Sequence, residues 1–385
     1  MNIREAIEKL VNRVNLSEAD TVDVMNQIMT GEATPLQVAS FLTALRMKGE
    51  TVEEITGAAR VMREKAHRVN VGGKTVLDTC GTGGDQKGTF NISTTAAFVV
   101  AGAGVDVAKH GNRSVSSLSG SADVLGALGV KVDAPKERVE QCIAKIGIGF
   151  LFAPLLHEAM KYAVGPRRDI GIRTIFNILG PLTNPAMASY QLIGIYSGEL
   201  VATIANVLKN LGSVRAMVVH GLEGLDEISL CGPTKVAELR DGQVKEYVLE
   251  PEQVGLKRCK LEDLHGGSAG QSALIVKAVL AGEKVRRAMS FCSTAARHFM
   301  SAVRPRRFKT ASRWRRRPSI PARRGKSWSN WSSSPMPREI PWPKFSPPLP
   351  RMCAASSNVV ARRCPYRRYA SGRYSTRPPA ALLGR

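Results

Sequence analysis

Residues 78–94 read DTCGTGGDQKGTFNIST, directly after the apolar run 75–77. A strand formed by TVLD would end at Asp78, and Gly81, Gly83 and Gly84 would then let the backbone turn tightly with unhindered amides. Asn91, Ser93 and Thr94 fall where the next helix begins, so helix-start amides and a glycine nest converge on one spot suited to a phosphate or pyrophosphate. The loop is not a Walker motif, because no Gly-Lys-Ser/Thr closes it, and it lacks the spacing of the dinucleotide glycine fingerprint. Taken alone it fits a phosphate cradle or a structural turn equally well.

The same pattern recurs outward from this loop. Short β-branched runs, each followed by glycine and then a helical segment, appear in VDVAKHGNRSVSS, IGIGFLFAP, SYQLIGIYSG and VRAMVVHG, with helical stretches such as STTAAFVVAGAG and SADVLGALGV between them. This alternation predicts an α/β domain with a mostly parallel central sheet, whose ligands bind beyond the carboxyl ends of the strands. At the second such end, KHGNRSVSSLSGSAD supplies Lys109 and Arg113 as cations and Ser114, Ser116, Ser117, Ser119 and Ser121 as hydroxyl donors. Two phosphate-suited loops on adjacent strands imply a ligand with two phosphate groups. At a later strand end, VVHGLEGLDEISL places Asp226 beside Glu227. Adjacent loop carboxylates are commonly only solvated, but next to a pyrophosphate they are suitable oxygen ligands for Mg²⁺. His220 and His265 read as structural.

Residues 1–70 read as four amphipathic helices that form a small lobe, with Ser17 and Thr34 as N-caps and Pro35 in a first turn. A partner copy is as natural a target for its apolar faces as the rest of the chain. Residues 71–284 form the α/β domain. No signal peptide opens the chain and no apolar run approaches a membrane span, which points to a cytoplasmic protein. Cys80, Cys142, Cys231 and Cys259 show neither metal-ligand spacing nor a disulfide framework.

The net charge of +23 misleads, because it lies in one place. Of the 55 basic and 32 acidic residues, 24 basic and one acidic residue (Glu339) lie in 285–385, leaving 31 of each sign in 1–284. All four Trp and 13 of the 21 Pro also lie in that last segment, with only nine Ile, Leu or Val, too few apolar residues to offset the entropy of ordering it. One reading is a basic, Trp-bearing arm that binds nucleic acid. The other, which we favour, is a coding sequence read out of frame, since the composition breaks within a helical stretch, GQSALIVKAVLAGEK, rather than after a linker.

The motifs DTCGTGGDQKGTFNIST, AKHGNRSVSSLSGSADVLGALG, GIRTIFNILGPLTNP and HGLEGLDEIS, in this order and spacing, resemble those of the anthranilate phosphoribosyltransferases of tryptophan biosynthesis, over about residues 1–284. The resemblance implies a homodimer joined through the helical lobe, a larger lobe related to pyrimidine nucleoside phosphorylases, and anthranilate synthase as a further partner. It also implies transfer of the phosphoribosyl group of phosphoribosyl pyrophosphate to anthranilate. Contacts to phosphoribosyl pyrophosphate would fall on Gly81, Gly84, Asp85, Thr89, Asn91, Ile92, Ser93, Thr94, Lys109, His110, Gly111, Asn112, Arg113, Ser114, Val115, Ser116, Ser117 and Ser121. Anthranilate would meet Gly81, Asn112 and Arg167, with Arg168 competing for its carboxylate. Two Mg²⁺ ions per subunit would be held by Ser93, Asp226 and Glu227. The family implies no catalytic nucleophile, and Cys80 reads as a small buried residue. A nucleic-acid-binding paralogue and a pyrimidine nucleoside phosphorylase are the alternatives.

Overall fold

The computed structural model describes residues 1–114 and 118–281, so Val115, Ser116, Ser117 and the segment 285–385 lie outside the described residues. The chain opens with helices α1 (Ile3–Val11), α2 (Glu18–Thr30), α3 (Pro35–Lys48) and α4 (Val52–Lys65). Each begins at a reciprocal capping box: Asn2, Ser17, Thr34 and Thr51 accept the N3 amide, while Glu5, Asp20, Gln37 and Glu54 reach back to the cap. Glu54 is also a tie between helices. Fully buried, it accepts from Lys48 at 2.8 Å at the end of α3 and from the Leu16 amide at 2.9 Å.

The α/β part follows as β1 (Leu77–Gly81), α5 (Ile92–Gly102), β2 (Val107–Gly111), α6 (Ser121–Ala127), α7 (Lys136–Ile146) and β3 (Ile148–Phe152). Then come α8 (Ala153–Leu156), α9 (Lys161–Ile170), α10 (Phe176–Leu179), β4 (Tyr190–Gly194), α11 (Leu200–Asn210) and β5 (Arg215–Gly221). A hairpin of β6 (Thr234–Arg240) and β7 (Gln243–Leu249) precedes α12 (Ala269–Ala281). The strands form one sheet in the order β3-β2-β1-β4-β5-β6-β7; the first five are parallel and the hairpin adds antiparallel at one edge. The hairpin is an element that the strand-by-strand reading of the sequence omitted.

The helical lobe is not made of residues 1–70 alone. Helix α9 returns from the α/β part to pack against α2 and α3, and Gly31 leaves room for the Tyr162 ring, which a Cβ there would meet at 2.6 Å. A single apolar core runs from Phe41, Leu45 and Ile55 through Ile204 and Leu208 of α11 to Ile193 and Val218 of the sheet. Arg63 seals this junction from α4, donating to the carbonyls of Leu182 at 2.7 Å and Leu211 at 3.2 Å, and burial pulls its pKa down to about 10. Among the described residues no helix is long and apolar enough to cross a membrane. The four described cysteines are thiols, and Cys231 and Cys259, distant in sequence, bring their sulfurs to 4.0 Å.

Candidate active site

The strand order fixes where a ligand would sit. From β1 the chain steps outward to β2 and β3, then crosses back so that β4 lies on the other side of β1. Loops leaving neighbouring strands in opposite directions open a crevice at the β1/β4 carboxyl ends, the switch point where open α/β sheets bind ligands. Gly81 and Gly194 face each other there, and the Thr82 amide donates to the Gly194 carbonyl at 2.9 Å.

The glycine loop leaves this point with left-handed backbone at Gly83 (φ 66°), Gly84 (φ 75°), Gln86 (φ 59°) and Gly88 (φ 65°). Its far end is clamped by the segment before α12, with Phe90 donating to Leu264 at 2.8 Å and Gly266 donating to Gly88 at 2.9 Å. His265 pairs with Thr89 through the backbone in the same clamp. His220 approaches the Ile195 carbonyl to 2.7 Å through Nδ1.

Asp226 and Glu227 follow β5 and are pressed into the crevice from the other side. A Cβ on Gly194 would collide with the Asp226 carbonyl, and one on Gly81 would lie 2.6 Å from Asp226 Oδ2. Both glycines are therefore required by close approach rather than by their own dihedral angles. The Gly83 amide donates to Asp226 at 2.7 Å and the Ser93 amide, at the start of α5, donates to Glu227 at 3.1 Å. The amides that read as anion donors thus face negative oxygens. Burial pushes the Glu227 carboxyl up to about 7, against the pull of Lys109. Burial, with Glu227 and Asp85 nearby, raises Asp226 well above the usual carboxylate range. Asp85 Oδ2 and Thr94 Oγ1 are buried with no hydrogen-bond partner among the described residues.

These donors suit a divalent cation. Burial and mutual repulsion make the acidic pair costly to ionise, and a cation would offset that cost. Among the described residues no three His, Cys, Asp or Glu side chains form a closed cage. An ion here would complete its shell with ligand oxygens and water, as Mg²⁺ does.

Lys109, on β2, is buried; its ammonium reaches the Thr79 carbonyl, in the field of Asp78 and Glu227. Asp78, which the motif reading treated only as a strand end, proves to organise the floor of the site. It accepts from the His110 amide at 3.0 Å, from Asn184 Nδ2 at 2.7 Å and from the Cys80 thiol at 3.4 Å. His110 packs 5.2 Å from the His157 ring, with Nδ1 3.1 Å from the Gly180 carbonyl. In the loop after β2, Ser121 donates to the Asn112 carbonyl at 3.2 Å, and Gly111 is open because a Cβ would strike Ser121 Oγ. Arg113 pairs with Asp123 at 3.0 Å, and Ser114 donates its amide to the same carboxylate at 3.0 Å. Asn91 and Ser119 bond each other, joining the two loops.

The candidate residues thus separate into a cluster at the switch point (Gly81, Gly84, Asp85, Ser93, Thr94, Lys109, Asp226, Glu227) and a flanking group. Asn112, Arg113, Ser114 and Ser121 are held among themselves and by Asp123. Arg167 lies on α9, half-buried, with its guanidinium 5.1 Å from the Phe176 ring. Arg168 is exposed and pairs with Asp169 at 3.4 Å. The sequence reading missed Asn184, Arg173 and Tyr196. An asparagine in the turn 183–185 and an arginine beyond a helix end carry no local signal of their distant partners.

A helical bundle joined to an α/β sheet with an acidic pair at its switch point defines a class. Residues 73–309 match the glycosyl transferase family a/b domain and residues 4–66 match the helical bundle domain of the same family. The chain is 58% identical over 296 residues to the anthranilate phosphoribosyltransferase of Geotalea uraniireducens, a match spanning 73% of this chain and 85% of that protein. Its fold matches the anthranilate phosphoribosyltransferase of Thermus thermophilus at a TM-score of 0.73 and 45% identity, over 77% of this chain and 88% of that one. The Saccharomyces cerevisiae enzyme in complex with phosphoribosyl pyrophosphate and Mg matches at 0.66 and 28% identity, over 78% and 96% of the two chains. The chain belongs to the anthranilate phosphoribosyltransferase family.

Proposed function

We propose that this chain transfers the phosphoribosyl group of phosphoribosyl pyrophosphate to the amine of anthranilate, giving N-(5-phosphoribosyl)anthranilate and pyrophosphate in tryptophan biosynthesis. The observation that carries the reading is the meeting of the glycine-loop and α5 amides with Asp226 and Glu227 at the β1/β4 switch point. The Gly83 and Ser93 amides, which Asp226 and Glu227 occupy in this structure, would turn to the diphosphate oxygens once bound cations draw those carboxylates away. Ser93, Asp226 and Glu227 would hold Mg²⁺, two ions per subunit, and the ions would supply positive charge to offset the negative charge growing on the departing pyrophosphate. Lys109 supplies a buried positive charge that draws Glu227 toward its ionised form, against the burial that raises it. Arg167, steadied over the Phe176 ring, offers a planar fork for the anthranilate carboxylate.

The bond from the ribose C1 to the pyrophosphate oxygen breaks as the anthranilate nitrogen bonds to C1, and the nitrogen then releases a proton. That amine is weakly basic and needs little deprotonation before attack, so positioning and leaving-group stabilisation carry the rate. The side chains nearby agree. Burial raises the Cys80 thiol far above neutrality, so no thiolate nucleophile is present, and burial pulls His110 down to about 3, which leaves it a neutral hydrogen-bonding group. The exposed Leu36, Met47 and Val11 of the helical lobe favour a homodimer through that lobe.

Loss of anthranilate fluorescence in the presence of phosphoribosyl pyrophosphate and Mg²⁺ tests the reading. The chain should consume anthranilate only when both are added, and Glu227→Gln should lower kcat/KM by about 10²-fold or more. A folded chain that leaves anthranilate untouched under these conditions, or a Glu227→Gln variant with unchanged turnover, would overturn it.

A further inference from the structure

Arg173 lies outside the contacts assigned above, yet three parts of the molecule meet at its guanidinium. Its Nη2 donates to the Gly84 carbonyl, and a Cβ on Gly84 would come within 3.0 Å of the same nitrogen. The guanidinium carbon stands 4.1 Å from the centre of the Tyr196 ring. The Tyr196 amide in turn donates to Thr82 Oγ1 at 3.0 Å, so the arginine and its aromatic partner hold the same glycine loop at two points.

Both holders are anchored away from the loop. Arg173 follows α9, which ends at left-handed Gly171 (φ 70°) and packs on α2 and α3. Tyr196 extends beyond β4 and packs on the apolar core shared with the helical lobe. Its phenol also feels the charges of Arg46, in the last turn of α3, and Glu50, just beyond it, which pair at 3.8 Å with the Glu50 side chain only 5% exposed. Packing and hydrogen bonds therefore join the apolar core shared with the helical lobe, Tyr196, Arg173 and the carbonyl between Gly84 and Asp85.

We propose that Arg173 is a positioning residue for diphosphate binding: it locks residues 83–85 in the conformation that presents their amides, and it ties that conformation to the helical lobe through Tyr196. The inference rests on the phosphoribosyl transfer reading. Its physical basis is the carbonyl contact. Left-handed backbone at two successive glycines is freely reversible in isolation, because glycine populates both signs of φ. A charge-assisted hydrogen bond to the Gly84 carbonyl fixes that peptide plane, and with it the direction of the next amide. Stacking on an aromatic face holds the guanidinium plane as a lysine ammonium could not.

The test uses the full chain with Arg173→Ala, Arg173→Lys, Tyr196→Phe and Tyr196→Leu. Four quantities are read: the two substrate KM values, Tm, the affinity for inorganic pyrophosphate with Mg²⁺ by calorimetry, and the response to added guanidinium ion. Arg173→Ala should raise the KM for phosphoribosyl pyrophosphate and weaken pyrophosphate binding by about 10- to 100-fold, with the anthranilate KM within about twofold. Guanidinium ion should restore much of the loss, and Arg173→Lys should restore little. Tyr196→Phe, which keeps the ring but loses the hydroxyl that Arg173 also meets, should lose less than Tyr196→Leu, and Tyr196→Leu should behave as a weaker Arg173→Ala. Equal rises in both KM values, a loss that follows Tm without guanidinium rescue, or parent-like pyrophosphate binding in Arg173→Ala would overturn the proposal. Should Arg173→Ala fail to fold, the contrast between Tyr196→Phe and Tyr196→Leu decides, and equal pyrophosphate affinity in those two would overturn it. Because pyrophosphate binding is read without turnover, a parent chain that binds pyrophosphate but transfers nothing would sink the activity reading and leave this one measurable.

Discussion

His110 and His157 show what the floor of the site costs the fold. Burial pulls their imidazoles down to about 3 and about 4, and the neighbouring His157 ring adds to His110's difficulty in holding a proton. Lys109 disfavours protonation of His110 and His67 disfavours that of His157, while the Gly180 and Thr183 backbones hold the rings. In the unfolded chain both take a proton near 6.5. Above that pH neither form is charged and the pair costs nothing; as pH falls toward 4 the unfolded chain gains protons that the folded one refuses, so stability drains away. The loss should be on the order of 2–3 kcal/mol per histidine by pH 4. Urea unfolding from pH 7 to pH 4 checks this, and His157→Asn, which keeps a donor near the Nδ1 position, should flatten the acid limb. A limb of unchanged slope would contradict it. At this scale part of the candidate site could be picked out from the sequence. The glycines and the Asp226/Glu227 pair, which the structure gathers at the β1/β4 crevice, stand out because strand-end chemistry is local. Asn184 meets Asp78 across 106 residues and Arg173 meets Gly84 across 89. Contacts of that range follow from strand order, which no single motif encodes.

Helices α2 and α4 cross at Gly57. A Cβ there would lie 2.6 Å from the Glu18 carbonyl and 3.0 Å from the Thr21 Cβ. Helix propensity alone favours Gly57→Ala by up to about 1 kcal/mol, whereas forcing two backbones apart in a packed core costs about 1–3 kcal/mol. The nearest atom is main chain and cannot rotate aside, so the clash should win. Gly57→Ala should lower the urea midpoint at unchanged m-value, and a raised midpoint would mean that the helices slide without loss. The four helices of this lobe were legible because each begins with a capping box, a signal contained within four residues. The β6/β7 hairpin was legible too and was passed over. Its turn is Asp241-Gly242, both with positive φ (50° and 73°), the residues that a tight hairpin with right-handed twist demands. Strand β6 is covered on both faces, with Val236 in one apolar cluster and Ala237 and Leu239 in another, while the outer strand β7 is mostly exposed or half-buried. What hid the hairpin was the expectation of strand-to-helix alternation, which ends after β5. The return of α9 to the helical lobe was illegible for a different reason: nothing local distinguishes a helix that covers the sheet from one that leaves it.

At the scale of the whole molecule, the neutral body and the basic segment 285–385 are two chemistries on one chain. The match to the Geotalea protein takes in 85% of that protein but 73% of this chain, so the rest of this chain has no counterpart in that match. Helix α12 shows what the last part of a relative would meet. Its inner face, with Ala273 and Val276, packs against Val124 of α6, while Leu274 and Leu280 are 66% and 48% exposed. Covering two such leucines is worth about 1.5–3 kcal/mol each when burial is complete. Replacing residues 285–385 with the C-terminal segment of the Geotalea relative should therefore raise Tm by roughly 5–10 °C by calorimetry and increase anthranilate turnover. The exchange also removes 24 basic residues and one acid. Any affinity for DNA should disappear with them, because the remaining body carries equal numbers of each charge and polyanion binding scales with phosphates neutralised. Tm and turnover unchanged by the exchange would mean that the basic segment covers α12 as well as a relative's own residues do. DNA binding that survived the exchange would place polyanion affinity in the neutral body, where the composition gives it no source.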